Sequence, residues 1–214
     1  MAQHVKPLLK TLSYAAAKTL CTVLFLPYFR VAVDGSEHLP RKGAFLLAAN
    51  HFSYVDPLLL GTFLRRRLWF VMAEDQFEKP VIHAFSRLMD VVPMKTGAAF
   101  QLGGVKKVLT LLRHGRGVAI FPEGERSRTG GMLAPQPGVG VFAARSRVPV
   151  VPAAIVGTRE AYPPGTAFPR PRKVRLFLGE PIRFDEGTPP EEIAGRAMEA
   201  VAALLRNNGY ENYV

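Results

Sequence analysis

The chain alternates short apolar runs with stretches whose apolar positions recur every three or four residues. GAFLLAA (Gly43–Ala49) and LWFVMA (Leu68–Ala73) are too short for buried helices, so each reads as a strand covered on both faces. VVPM (Val91–Met94), GVAIF (Gly117–Phe121), VVPAAIVG (Val150–Gly157) and VRLFLG (Val174–Gly179) read the same way. Between them, Lys79–Met89 sets Val81, Ala84, Phe85 and Leu88 on one helical side. LGGVKKVLTLLR (Leu102–Arg113) is an amphipathic helix stopped at Gly115, and Gly138–Arg145 fits a shorter one. Pro190–Arg206 is the last helix, with Thr188 as its expected cap and Glu191 and Glu192 in its first turn. Strands alternating with helices predict an α/β domain whose central, mostly parallel or mixed sheet carries helices on both faces. No repeat and no long linker marks a second globular domain. Tyr162–Pro171 (YPPGTAFPRP) is a proline-rich excursion, either functional or merely tolerated.

The first 33 residues break the pattern. They contain Lys6, Lys10, Lys18 and Arg30 and no acid before Asp34. TLCTVLFLPYF (Thr19–Phe29) is uncharged but well short of the roughly 20 apolar residues that span a bilayer. Leu8, Leu9, Leu12, Ala16 and Leu20 recur at helical spacing, which suits a helix lying in a membrane surface. Leu24, Phe25 and Phe29 would enter the lipid while the lysines meet headgroups, each cation adding about 1 kcal/mol near an anionic leaflet. A core helix of a soluble domain fits the same residues less well. A cleaved signal peptide fits poorly, because the small-residue run YAAAK precedes the apolar stretch. The chain therefore divides into a membrane-associating helical segment, 1–33, and an α/β domain, 34–214.

Charge sharpens this. The 214 residues carry a formal net charge of +11, with 28 Lys and Arg against 17 Asp and Glu. From Glu180 onward seven acidic residues face three basic ones, so the surplus lies before that point. Such a surplus favours nucleic acid, an anionic membrane or phosphorylated small molecules. No zinc finger, homeodomain helix or RNA-binding aromatic signature is present, so membrane and phosphate move ahead of nucleic acid. The single cysteine, Cys21, excludes an intramolecular disulfide and a multi-cysteine zinc site.

Three strand ends carry candidate chemistry. NHFSYVD follows GAFLLAA and sets His51 five positions before Asp56. On a helix that spacing turns through about 500° and separates the side chains, so pairing requires a turn. A carboxylate on one ring nitrogen fixes the tautomer and leaves the other nitrogen as a base. Asp56 followed by Pro57 also reads as a helix N-cap with proline at the first helical position. No G-x-S-x-G elbow supplies a protein nucleophile, so the base would activate a substrate hydroxyl toward an already reactive acyl donor such as a thioester. FPEGERSR (Phe121–Arg128) combines a strand-ending proline, a glycine and two arginines whose forks suit phosphate. Glu123 either steadies an arginine or binds a substrate hydroxyl, and Ser127 can add a donor. MKTG contributes Lys95 after the VVPM strand.

These blocks resemble the glycerolipid acyltransferase family, of which 1-acyl-sn-glycerol-3-phosphate acyltransferases are typical. Its N-H-x4-D block is matched by Asn50, His51 and Asp56. Its F-P-E-G-x-R-S block is matched by Phe121, Pro122, Glu123, Gly124, Arg126 and Ser127. Its V-P-x-x-P block is matched by Val148, Pro149 and Pro152. Order and spacing agree from about Val33 to Ile182. One departure concerns Lys95, which stands where the family usually places a phosphate-binding arginine. Lysine keeps the charge but loses the two-pronged geometry.

The resemblance implies transfer of a fatty acyl group from acyl-CoA or acyl carrier protein to the sn-2 hydroxyl of 1-acyl-sn-glycerol-3-phosphate, giving phosphatidic acid. His51 and Asp56 would be catalytic. Asn50, Lys95, Glu123, Gly124, Arg126, Ser127 and Arg128 would bind substrate. No metal or other cofactor is implied. The partners are anionic membrane lipids, the lysophospholipid acceptor and the acyl donor, with no nucleic acid. Exposing a sixteen-carbon tail to water costs about 12 kcal/mol, so an enzyme on such substrates belongs at the interface. The expected place is monotopic, on the cytoplasmic face of the inner membrane, and removing residues 1–33 should impair activity more than folding. Acyl transfer to another lysophospholipid or lyso-aminolipid is the alternative. A thioester hydrolase and a non-enzymatic membrane-binding protein are weaker readings.

Overall fold

The computed structural model describes residues 7–74, 90–94, 102–163 and 165–214. A long helix, α1 (Pro7–Phe29), leads into strand β1 (Ala32–Asp34). Then come β2 (Phe45–Ala49), α2 (Asp56–Phe63), β3 (Leu68–Ala73), β4 (Asp90–Met94), α3 (Leu102–Arg113) and β5 (Gly117–Ile120). The chain continues through α4 (Gly138–Ser146), β6 (Val150–Val156), the short α5 (Thr158–Ala161), β7 (Arg175–Leu178) and α6 (Pro190–Asn207). The helix expected over Lys79–Met89 lies outside the described residues, as do Lys6 and Lys95.

The strands form one seven-stranded sheet in the order β1-β7-β6-β2-β5-β3-β4. β6, β2, β5, β3 and β4 run parallel to their neighbours, and β7 turns antiparallel to β6. β2 shows why its run is wholly apolar: Phe45, Leu47 and Ala49 join one core, while Leu46 and Ala48 join the other. The first core takes Leu59, Leu60 and Leu64 from α2 and its end. The second takes Val105, Val108 and Leu112 of α3, Phe142 of α4 and Ile193 and Ala197 of α6. The mixed α/β sheet with helices on both faces is the architecture expected.

Parallel strands place their C-terminal ends along one edge, where loops gather. The loops after β2, β5 and β6 all leave there. Because β7 runs against β6, its first residue, Arg175, lies beside Val156 at this same edge, and Ala32 of β1 lies beside Arg175. The C-terminal end of α1 therefore meets the sheet at the edge where the motif loops emerge.

α1 departs from the expected segment set apart from the α/β domain. Phe29 is 1% exposed and packs in the first core, and Phe25 packs half-buried against it, so neither faces outward. Lys18 donates from Nζ to the Leu64 carbonyl at 2.5 Å, and burial lowers its pKa, so this lysine is spent on the protein rather than on headgroups. The boundary at 33/34 falls inside β1, which pairs with β7 from Ala32 to Asp34. Removing residues 1–33 would thus take a core phenylalanine and most of an edge strand, and folding would suffer with activity. The opposite face of α1 remains bare: Leu20, Val23, Leu24 and Leu26 are 60%, 65%, 55% and 47% exposed. Among the described residues no helix is long and apolar enough to cross a membrane. At the other end of the chain, Thr188 does not cap α6; its hydroxyl donates to the Asp185 carbonyl and Pro189 takes the cap position.

Candidate active site

β2 ends at Ala49, and the next six residues turn before α2 begins at Asp56. That turn is what lets residues five apart meet. His51 Nδ1 lies 2.9 Å from Asp56 Oδ2, and the backbone amides of Phe52 and Ser53 donate to the same oxygen at 2.8 and 2.7 Å. Three donors on one carboxylate oxygen hold the turn closed and hold the ring by one nitrogen. Asp56 is the first residue of α2, and its side chain secures the preceding turn instead of capping the helix. It is fully buried, whereas the His51 side chain keeps 17% exposure. With Nδ1 committed, Nε2 is the nitrogen left to take a proton. The Phe121 ring stacks on the imidazole at 4.0 Å between centroids, 17° from parallel, which blocks rotation out of this position.

The loop after β5 is tied to the histidine backbone at two points. Glu123 Oε1 accepts the His51 amide at 2.8 Å, and the Ser127 amide donates to the His51 carbonyl at 2.9 Å. Glu123 Oε2 accepts the Leu133 amide at 2.9 Å, so one carboxylate joins three segments. Burial pushes the Glu123 carboxyl up to about 7, opposed by those two backbone donors. Gly124 closes the turn with φ +75, a left-handed conformation that favours glycine, and its amide donates a hydrogen bond to Phe121 O at 3.0 Å.

Several residues expected to bind substrate are occupied elsewhere. Asn50 is fully buried; its side-chain amide donates to Ile155 O at 2.8 Å and its oxygen accepts Ile155 N at 2.7 Å. It locks the β2 exit to β6. Ser127 is 2% exposed and its hydroxyl accepts the Gly130 amide at 3.1 Å, so it shapes the loop. Glu123, with both oxygens accepting backbone amides, is a strut between loops. Gly124 is exposed, and its conformational role in the turn accounts for it.

The cations behave differently. The Arg126 guanidinium lies over the Tyr54 ring, 3.3 Å from its centroid, which ties this cation to the histidine loop. Arg128 is exposed, and its carbonyl accepts Arg159 Nη2 at 3.1 Å, bringing a third guanidinium to the edge. Sequence reasoning overlooked Arg159, Tyr54 and the stacking role of Phe121. Nothing in periodicity or spacing distinguishes those residues; only strand order brings α5 beside the β5 loop. Among the described residues no group of three or more His, Cys, Asp and Glu side chains is arranged to hold a metal ion.

Comparison with known proteins places this geometry. A protein-family model described as Acyltransferase matches residues 30–156. The chloroplastic 1-acyl-sn-glycerol-3-phosphate acyltransferase LPAT1 of Arabidopsis thaliana is 28% identical over 192 residues, 88% of this chain and 53% of that protein. The 1-acyl-sn-glycerol-3-phosphate acyltransferase of Bacillus subtilis is 28% identical over 153 residues, covering 71% of this chain and 73% of that one. The chain spans about half the length of several curated relatives it matches. The crystal structure of the 1-acyl-sn-glycerophosphate acyltransferase PlsC from Thermotoga maritima has a TM-score of 0.77 at 24% identity, over 97% of this chain and 84% of that one. It shares the fold. Since the family match takes in more than half of the chain and both motif loops, the chain belongs to the acyltransferase family.

Proposed function

We propose that this protein transfers a fatty acyl group from a thioester donor, acyl-CoA or acyl carrier protein, to the free sn-2 hydroxyl of 1-acyl-sn-glycerol-3-phosphate, producing phosphatidic acid. The observation that carries the reading is the His51–Asp56 pair at 2.9 Å, beside a loop bearing Arg126 and Arg128. Relatives named 1-acyl-sn-glycerol-3-phosphate acyltransferase support the choice of acceptor.

In the reaction His51 Nε2 removes the proton from the acceptor hydroxyl as its oxygen attacks the thioester carbonyl carbon. Asp56 stabilises the imidazolium that forms. The tetrahedral intermediate collapses with cleavage of the carbon–sulfur bond, and the imidazolium returns its proton to the departing thiolate. Arg126, Arg128 and Lys95 hold the acceptor phosphate and so fix the hydroxyl near the base. General base catalysis contributes about 10²–10⁴ to such a rate, and positioning supplies much of the remainder.

The outer face of α1 meets the membrane surface in this reading, with Leu24 among the residues that enter lipid. An apolar helix covered on only one side has an unsatisfied face, and acyl chains satisfy it. The chain sits monotopically on the cytoplasmic face of the inner membrane.

The test is a panel of lyso-acceptors presented in vesicles, with labelled acyl-CoA and acyl carrier protein as donors and mass spectrometry of the lipids. The expected product is phosphatidic acid from 1-acyl-sn-glycerol-3-phosphate. Diacyl product from a different lyso-acceptor would replace the acceptor assignment. Thioester loss with no diacyl lipid would identify a hydrolase.

A further inference from the structure

The proline-rich excursion between α5 and β7 has no part in the site just described. Phe168 within it is 80% exposed, more than any other large hydrophobic side chain among the described residues. Its neighbours bind it to the end of α1. Tyr28 Oη donates to the Pro169 carbonyl at 2.6 Å, and the Val174 amide donates to Phe29 O at 2.9 Å. The excursion is itself closed, with Arg170 N donating to Ala161 O at 2.6 Å and the Thr166 hydroxyl to Pro163 O at 2.7 Å. On α1 the exposed positions Leu20, Leu24 and Tyr28 follow at i+4 spacing, which is a line along one helical face. Tyr28 is where that line reaches the excursion.

Charge accompanies the apolar surface. Arg170, Arg172 and Lys173 are exposed on the descending arm, and Arg30 is exposed at the end of α1. Proline rigidifies the loop before binding, so little entropy is lost when Phe168 is immobilised. An exposed phenylalanine beside a row of cations matches a bilayer with anionic headgroups: apolar atoms go to the acyl boundary and cations to phosphate level. A neutral protein surface would offer the phenylalanine a pocket but the cations nothing.

We propose that the arm 165–173 is a second membrane contact, inserting Phe168 into an anionic bilayer beside the exposed face of α1. This rests on the membrane reading of α1 above and adds a device that α1 does not supply. Two contacts at the active-site edge orient that edge toward the leaflet, where one helix alone permits rolling about its axis.

The experiment uses the full chain with vesicles of phosphatidylcholine, with and without phosphatidylglycerol. Trp69 is the single native tryptophan and sits near the N-terminal end of β3, away from the edge where the motif loops emerge, so Phe168→Trp and, separately, Leu24→Trp report new positions. The expected result is a blue shift and quenching by acyl-brominated lipid in both variants, with no such quenching of the wild-type chain. Phe168→Glu should lower the partition coefficient about tenfold. Arg170→Glu with Arg172→Glu should lower it at least about thirtyfold on anionic vesicles and little on neutral ones. Quenching in Leu24→Trp but not in Phe168→Trp, or wild-type partitioning by Phe168→Glu, overturns the loop contact and leaves α1 standing. A wild-type chain that does not bind vesicles, or that instead dimerises through this face, overturns both.

Discussion

In the loop after β2 the two ionisable side chains turn toward each other: His51 and Asp56 meet at 2.9 Å, and the loop backbone closes around the carboxylate. In the loop after β5 they part company. Glu123 and Ser127 turn inward to hold backbone, while Arg128 stays exposed and Arg126 lies across Tyr54. The first loop holds an imidazole by one nitrogen; the second makes a rigid bracket with charges on its outside. Membership of a motif therefore does not fix whether a side chain turns outward or holds the backbone of its neighbours.

The sharpest way to break the contrast is at the pair. His51→Ala should reduce acyl transfer to 1-acyl-sn-glycerol-3-phosphate by about 10²–10⁴ and lower stability by about 1–3 kcal/mol, because the ring is only 17% exposed, holds the buried Asp56 and stacks on Phe121. Asp56→Asn should cost a comparable factor and also destabilise the protein by about 1–3 kcal/mol, since a neutral amide oxygen accepts these donors more weakly than a carboxylate and the new NH2 would replace the buried Oδ1, where no acceptor meets it. A rate within tenfold of wild type for either variant would dissolve the pair as a catalytic unit.

On the other loop the outward charge is the next lever. Arg126→Ala should raise KM for the phosphate-bearing acceptor about tenfold while kcat falls less, and Arg126→Lys should recover part of it. Steady-state kinetics over a range of acceptor concentration in vesicles separates the two constants.

Inward residues should answer in stability. Asn50→Ala leaves the Ile155 amide and carbonyl unpaired in the interior and should cost about 1–3 kcal/mol in denaturant unfolding. KM for the acceptor should not move in the folded fraction. A raised KM without lost stability would return Asn50 to the substrate.

The smallest effect concerns Glu123. Folded, it keeps its proton up to about 7, whereas an unfolded glutamate releases it near about 4.3. The folded state thus binds more protons across that window, and this group's contribution to stability is present below it and lost as pH rises through 7. The wild-type thermal midpoint should fall more between pH 5 and pH 8 than that of Glu123→Gln, by a few degrees. Equal slopes for the two proteins would remove Glu123 as the source.

Much of this molecule could be read along the chain. The runs that became β2, β3 and β6 are apolar at every position because each face of the sheet is covered, and such runs announce themselves without any partner being known. β1 escaped notice because three residues of edge strand, Ala32–Asp34, have no periodicity to detect. Thr188 looked like a cap because its residue type is right, but its hydroxyl found the nearer Asp185 carbonyl. α1 misled in a more instructive manner. Its residues are apolar around most of the circumference, and sequence cannot say which apolar face the domain takes; Phe29 and Phe25 went inward, and Leu20, Val23 and Leu24 stayed out.

The order of residues by itself determined every strand but β1, the principal helices, the excess of positive charge and the requirement that His51 and Asp56 could pair only across a turn. Each depends on neighbours within a few positions, where spacing and side-chain type suffice. Tertiary structure alone decided that Asn50 bonds to Ile155, that Glu123 joins His51 to Leu133, that Arg159 stands beside Arg128 and that Tyr28 meets Pro169. Those contacts form between strands and loops far apart in the chain, and their geometry exists only once the sheet has set its order.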